Sequence, residues 1–128
     1  MVTATTKGVN VSVEVFYQPE YSKPFNAEFI FAYRITIKNC SEHTIKLIDR
    51  HWDIFDSNGK YREVSGEGVV GKQPVLEPDD THQYISGCHL NTELGRMSGS
   101  YTMLRLSDGV KFKVDIPQFK MIADFKLC

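Results

Sequence analysis

Phe29-Ile30-Phe31-Ala32-Tyr33-Arg34-Ile35-Thr36-Ile37 puts a large apolar side chain at every second position. Successive side chains of a strand point to opposite faces, so Phe29, Phe31, Tyr33, Ile35 and Ile37 share one face. A helix would scatter the same five around its circumference. Upstream, Val9, Val11, Val13 and Val15 repeat the pattern. Between the two runs, Gln18-Pro19-Glu20-Tyr21-Ser22-Lys23-Pro24 carries two prolines that cannot donate to a ladder, which predicts a connection over the surface.

Downstream the pattern recurs in shorter pieces. Thr44 to Ile48 reads as one strand, and Trp52 with Ile54 as the apolar face of another. Asp56-Ser57-Asn58-Gly59 supplies a hairpin turn, with a strand expected to resume from Lys60 to Val64. Thr81 to Ile85 and Ser100 to Leu106 follow, and Ser107-Asp108-Gly109 turns the chain into the alternating Val110, Phe112, Val114 and Ile116. Phe119, Met121, Ala123 and Phe125 also alternate. They predict a further edge strand that either covers its own sheet or pairs with a second copy as a homodimer. No segment holds the helical apolar stripe over three turns. The chain is therefore all-β, with seven or more antiparallel strands that fit a two-sheet sandwich, although periodicity alone also permits a closed barrel.

A length of 128 residues suits one domain spanning 1–128, with a core over about 9–122 and frayed residues 1–8. Fifteen basic against 16 acidic residues leave a net charge of −1, and Lys and Arg are dispersed. That balance offers no electrostatic case for nucleic acid as a partner. No apolar run reaches the roughly 20 residues of a membrane helix, and the N-terminus lacks the charged start and apolar core of a signal peptide, so no membrane association and a cytoplasmic location are expected. Three cysteines without a C-x-x-C read as free thiols in that compartment. Cys40, Trp52 and Cys88 mimic the antibody-domain order, but Ser86 stands where the corner tyrosine belongs. Asn39-Cys40-Ser41 satisfies a glycosylation sequon that has no meaning without a secretory route.

Gly66-Glu67-Gly68-Val69-Val70-Gly71 matches the dinucleotide fingerprint letter for letter. Pro74 and Pro78 forbid the helix whose N-terminus would hold the phosphates, and Cys88 to Asn91 stand where the ribose-binding acid belongs. The glycines are expected to serve positive φ or close packing in a loop. A second expectation is an anion nest in which Gly66, Gly68 and Gly71 supply amides and Lys72, Arg62 or Arg50 supplies charge.

His43, His51, His82 and His89 show no metal-ligand spacing, so no metal site and no cofactor is expected. His82 and His89 would come together only if the chain bends at Ser86-Gly87. In Arg50-His51-Trp52-Asp53, alternation sends Trp52 inward and His51 with Asp53 outward, leaving an exposed polar pair. No serine occupies a nucleophile elbow, and no carboxylate pair has an apolar setting, so no catalytic residue is assigned.

Phe31 to Asn39, Arg50-His51-Trp52, Glu63 to Pro74 and Ser86-Gly87-Cys88, extended by Tyr17-Gln18-Pro19-Glu20, Gly99-Ser100-Tyr101 and Ile116-Pro117-Gln118-Phe119, resemble the ApaG family from about Val9 to Ile122. The resemblance implies a fibronectin type III-like or immunoglobulin-like sandwich. It also implies stand-alone bacterial relatives associated with cobalt resistance and magnesium efflux, eukaryotic relatives attached to F-box and polymerase-interacting proteins in which the domain binds partner proteins, and a pyrophosphate-binding role suggested for the glycine motif. Asp79 stands where many relatives have glycine, and no proline follows Thr92 as it commonly does there. The function expected is a non-enzymatic domain, associated with divalent cation (cobalt/magnesium) homeostasis, that binds an unidentified protein partner through an exposed sheet edge or the loop from Gly66 to Pro74. The alternative is a phosphate, pyrophosphate or nucleotide ligand at the Gly66–Gly71 loop.

Overall fold

Alternation over Phe29–Asn39 produces the central strand of a first sheet, with Phe29, Phe31, Tyr33, Ile35 and Ile37 all buried. The computed structural model describes residues 1–123. Among the described residues the strands are β1 (Val2–Thr6), β2 (Val9–Tyr17), β3 (Phe29–Asn39), β4 (Ile45–Asp56), β5 (Tyr61–Glu67), β6 (Val75–Leu76), β7 (Thr81–Leu90), β8 (Leu94–Arg105) and β9 (Lys111–Ile122). They form two antiparallel sheets, ordered β1-β2-β3-β7 and β5-β4-β8-β9, with β6 also on β4. The expected two-sheet sandwich is the observed fold.

The core lies where the inward faces meet. Trp52 packs edge-on against Tyr33 and Phe119, with ring centroids 5.4 and 5.9 Å away, so three strands from both sheets share one aromatic cluster. Asn39 is a fully buried amide side chain. Its Nδ2 donates to the carbonyls of His43 and Leu76 at 2.7 and 3.0 Å, while its Oδ1 accepts from Ser41. Full satisfaction makes that burial tolerable and ties the β3–β4 loop to β6. The sequon asparagine is thus a structural clamp.

Several boundaries differ from the reading of the sequence, each for a physical reason. Residues 1–8 are not frayed: β1 pairs with β2 from Val2↔Val13 to Thr6↔Val9, and Thr6 Oγ1 accepts from the Asp115 N–H of β9 at 3.2 Å. Thr44–Ile48 and Trp52–Ile54 belong to one strand, β4. Its register with β8 slips between Leu47 and Asp49, so the extra residue Ile48 switches the inward parity from Ile45 and Leu47 to Trp52 and Ile54. β8 starts at Leu94 rather than Ser100. The tail from Phe119 is no separate edge strand, because β9 runs through it. Pro117 and Gln118 together oppose Ser98 in a bulge, which turns Phe119 and Met121 inward and accommodates a proline within a strand. Phe125 of the expected tail strand lies outside the described residues.

β9 packs against β1 and β2 and closes one side of the sandwich. On the other side the sheets end in β5 and β7, and side chains from both strands line a cleft between them.

Candidate functional site

The glycine triplet joins β5 to β6 across the β4 bulge, and its three glycines answer three different needs. Gly66 lies within β5 opposite Arg50, and a Cβ there would meet the Arg50 guanidinium at 2.9 Å. Gly68 has φ +65°, and a Cβ would stand 2.2 Å from the Lys72 carbonyl oxygen. Gly71, at φ +75°, sits beside Val70 at φ +47° in a turn where the Val69 and Lys72 amides exchange bonds with each other's carbonyls at 2.8 and 3.0 Å. Positive φ at two central residues is the mirror-type hairpin turn, a strained setting for a β-branched residue.

Of the three glycine amides expected in an anion nest, that of Gly68 is bonded within the fold, as are the neighbouring amides of Val69 and Lys72. Gly68 donates to Ile48 O at 2.8 Å, Gln73 Nε2 donates to the same carbonyl at 3.1 Å, and Val69 and Lys72 bond each other. Lys72 stands on the side of His82, whose imidazole burial, and then the Lys72 charge, hold below its ordinary value. The structure therefore brings Arg50 to Gly66, and leaves Gly71 and Lys72 at a separate turn.

Inward-facing residues of β5 line the cleft with β7. It holds about 200 Å³ between Tyr33, Arg50, Arg62, Val64, Ser86 and Cys88. Arg50 Nη1 donates to the carbonyls of Gly68 and Glu67 at 2.8 and 3.2 Å, and Arg62 Nη2 to that of His89 at 2.6 Å. Neither guanidinium has a carboxylate partner among the described residues. Burial pushes the Cys88 thiol and the Tyr33 phenol up, so both stay protonated at neutral pH. Behind them Tyr84 and Tyr101 share a buried hydroxyl contact of 2.5 Å.

Outward-facing residues of the same strand meet β4. Ser65 Oγ lies 2.7 Å from His51 Nδ1, His51 Nε2 lies 3.1 Å from Asp53 Oδ1, and the Tyr61 hydroxyl lies 2.5 Å from both Asp53 Oδ1 and Glu63 Oε1. The Tyr61 hydrogen bond, then that of His51, draws the Asp53 carboxyl below its usual range, while the two carboxylates raise the Tyr61 phenol. Ser65, His51 and Asp53 follow the order of a hydrolase triad, but with the ring nitrogens interchanged and on an open sheet surface. The outward pairing of His51 with Asp53 follows from alternation. The approach of Tyr61, Glu63 and Ser65 does not, because it depends on the register of the hairpin.

His82 and His89 do not meet. β7 runs straight through Ser86-Gly87, which separates them by roughly 23 Å of extended chain on opposite faces. Cys40 is exposed, Cys88 is buried, and both are free thiols. No helix among the described residues is long and apolar enough to cross a membrane. Exposed apolar side chains occur within the glycine segment at Val70 and also at the end of the sandwich that carries the β4–β5 hairpin. A concavity of about 540 Å³ there is floored by Phe55, Leu94 and Ile122 and rimmed by Arg96 and Lys120. Phe25 is fully exposed on the β2–β3 connection, whose Ala27 carbonyl accepts from Asn91 at the same end.

Fold and site together define a β-sandwich domain with one polar cluster on each face of its β4–β5 hairpin. The ApaG domain profile matches residues 19–105. Protein ApaG of Brucella abortus (strain S19) is 47% identical over 121 residues, covering 94% of this chain and 92% of the relative, and that of Brucella anthropi is 49% identical over 121. A solved Bordetella pertussis structure, described as an ApaA protein, superposes with a TM-score of 0.86 at 41% identity, covering 89% of this chain and 92% of its own. This chain belongs to the ApaG family.

Proposed function

We propose that the chain is a non-enzymatic protein-binding domain whose contact surface is the apolar concavity of Phe55, Leu94 and Ile122. The observation that carries the reading is the size and chemistry of that surface. Leu94 and Ile122 are 42% and 58% exposed around a hollow of about 540 Å³, and clustered exposed apolar area of this kind marks interaction sites. Covering it releases water at roughly 25 cal/mol per Å². Arg96, stacked 4.5 Å over Phe55, and Lys120 at the rim favour a partner segment that sets an acidic residue beside an apolar one. Affinity capture from native lysate with the wild type and with Leu94→Asp/Ile122→Asp tests this. A partner retained by the wild type in saturable amounts and lost by the variant is the expected result, and equal recovery by both refutes the reading.

A second reading rests on a different observation. Arg50 and Arg62, neither of them paired with an acid, line the β5–β7 cleft beside Tyr33 and Ser86, which supports a small phosphate-bearing ligand held between the sheets rather than on the glycine amides. Titration with pyrophosphate should shift the Gly66 amide and the Arg50 and Arg62 Nε–H signals by NMR. Silence at millimolar ligand ends this reading without touching the first.

A further inference from the structure

One imidazole and two carboxylates converge on the outer face of the β4–β5 hairpin, with their nearest ligand atoms all within 4.8 Å of one another. His51 and Asp53 are two residues apart on β4, and Glu63 is the direct cross-strand partner of Asp53. Paired strands, not a loop, fix the three positions. The cluster is short of positive charge. The Tyr61 hydroxyl stands 2.5 Å from an oxygen of each carboxylate, yet it has one hydrogen, so one of those contacts always sets a carboxylate against an oxygen lone pair. Neither carboxylate has a Lys or Arg partner among the described residues. His51 is the nitrogen-bearing side chain that faces them, with Nε2 3.1 Å from Asp53 Oδ1.

Ser65 completes the arrangement. A hydroxyl both donates and accepts, so at 2.7 Å it holds either tautomer of His51, including the one that turns an Nε2 lone pair toward Asp53. Metal-binding imidazoles have such a partner on their outer nitrogen. We propose that His51 Nε2, Asp53 and Glu63 form a binding site for a divalent transition-metal ion, zinc being the best match. Three side chains with one nitrogen and two carboxylates suit zinc, whereas magnesium and calcium prefer all-oxygen shells. The open sheet surface leaves the remaining coordination to water. Zinc would supply the positive charge that Tyr61 cannot.

Calorimetric titration of the full chain with Zn²⁺, with His51 side-chain nitrogens followed by NMR, tests the proposal. The expected result is one saturable site, a shift at His51 Nε2, and affinity weakened about tenfold or more by His51→Ala and by Glu63→Gln, with His82→Ala unchanged. Glu63 is exposed, so Glu63→Gln remains informative even if His51→Ala unfolds the chain. No saturable binding at millimolar zinc, or binding that Glu63→Gln leaves intact, overturns the site. Neither outcome bears on the apolar concavity.

Discussion

The two faces of β5 put different chemistry on one strand. Inward, Arg62 and the Arg50 that covers Gly66 bond to backbone carbonyls, and their positions are set by the ladders of β5 and β7. Outward, Tyr61, Glu63 and Ser65 bond only to side chains, His51 and Asp53 among them. Groups anchored on carbonyls in a half-buried cleft form a fixed basic wall. Groups anchored on one another in solvent can exchange protons or take up an ion. Period-two alternation creates both from consecutive residues.

The largest expected effect comes from removing what both faces stand on. Trp52 is buried beneath them against Tyr33 and Phe119, and Trp52→Ala should cost about 3–5 kcal/mol in urea unfolding. A loss below about 2 kcal/mol would mean that the faces do not share that foundation. Next, the triplet can be split. Gly68→Ala sets a Cβ against a backbone carbonyl at positive φ and should cost about 3 kcal/mol, whereas Gly66→Ala meets only the movable tip of Arg50 and should cost about 1. Gly66→Ala should also displace Arg50 from the cleft, visible in its Nε–H signal, while leaving His51 unmoved. The opposite order of stabilities would break the distinction between the two glycines.

pH separates the interior from the outer face. Burial raises Cys88, Tyr33, Tyr84 and Tyr101, so the folded state holds protons there that the unfolded chain releases. Stability is then fully present below the ordinary thiol value and falls as pH rises, first through the range where the unfolded thiol ionises and then, from about pH 10, through that of the unfolded phenols. Guanidinium midpoints at pH 7, 9 and 10.5 should decline steadily, and Tyr84→Phe should flatten the last step. The smallest effects are gains. Val70→Gly relieves a β-branched residue at φ +47° and should stabilise by about 1 kcal/mol, and Asp79→Gly at φ +70° by about 0.5, read from thermal unfolding.

Asp79 lies at φ +70°, in the left-handed region. Glycine is the residue that such a turn prefers, and aspartate is among the side chains that tolerate it. Most strands were legible in the sequence, because alternation exposes its face directly. Parity breaks were not: a single bulge residue, Ile48, made one strand look like two, and Pro117-Gln118 made the end of β9 look like a new one. The outer cluster was hidden by one residue of register. A two-residue Asn58-Gly59 turn would pair Ser57 with Lys60. The hairpin instead bonds the Asp56 N–H to the Lys60 carbonyl at 2.9 Å around the three-residue loop Ser57-Asn58-Gly59, with Gly59 at φ +91°. That choice sets Glu63, rather than Val64, across from Asp53.

By itself the sequence determined the all-β class, the inward faces of β2 and β3, the turns at Asn58-Gly59 and Asp108-Gly109, and the exclusion of a dinucleotide fold by Pro74 and Pro78. These are local properties, written in periods of two and in the backbone limits of glycine and proline. Tertiary structure alone decided that the glycine segment wraps a bulge, that Arg50 and Arg62 share a cleft, and that His51, Asp53 and Glu63 converge. Each of those depends on which strands pair and in what register, and that is settled by packing between the sheets and not by any single stretch of chain.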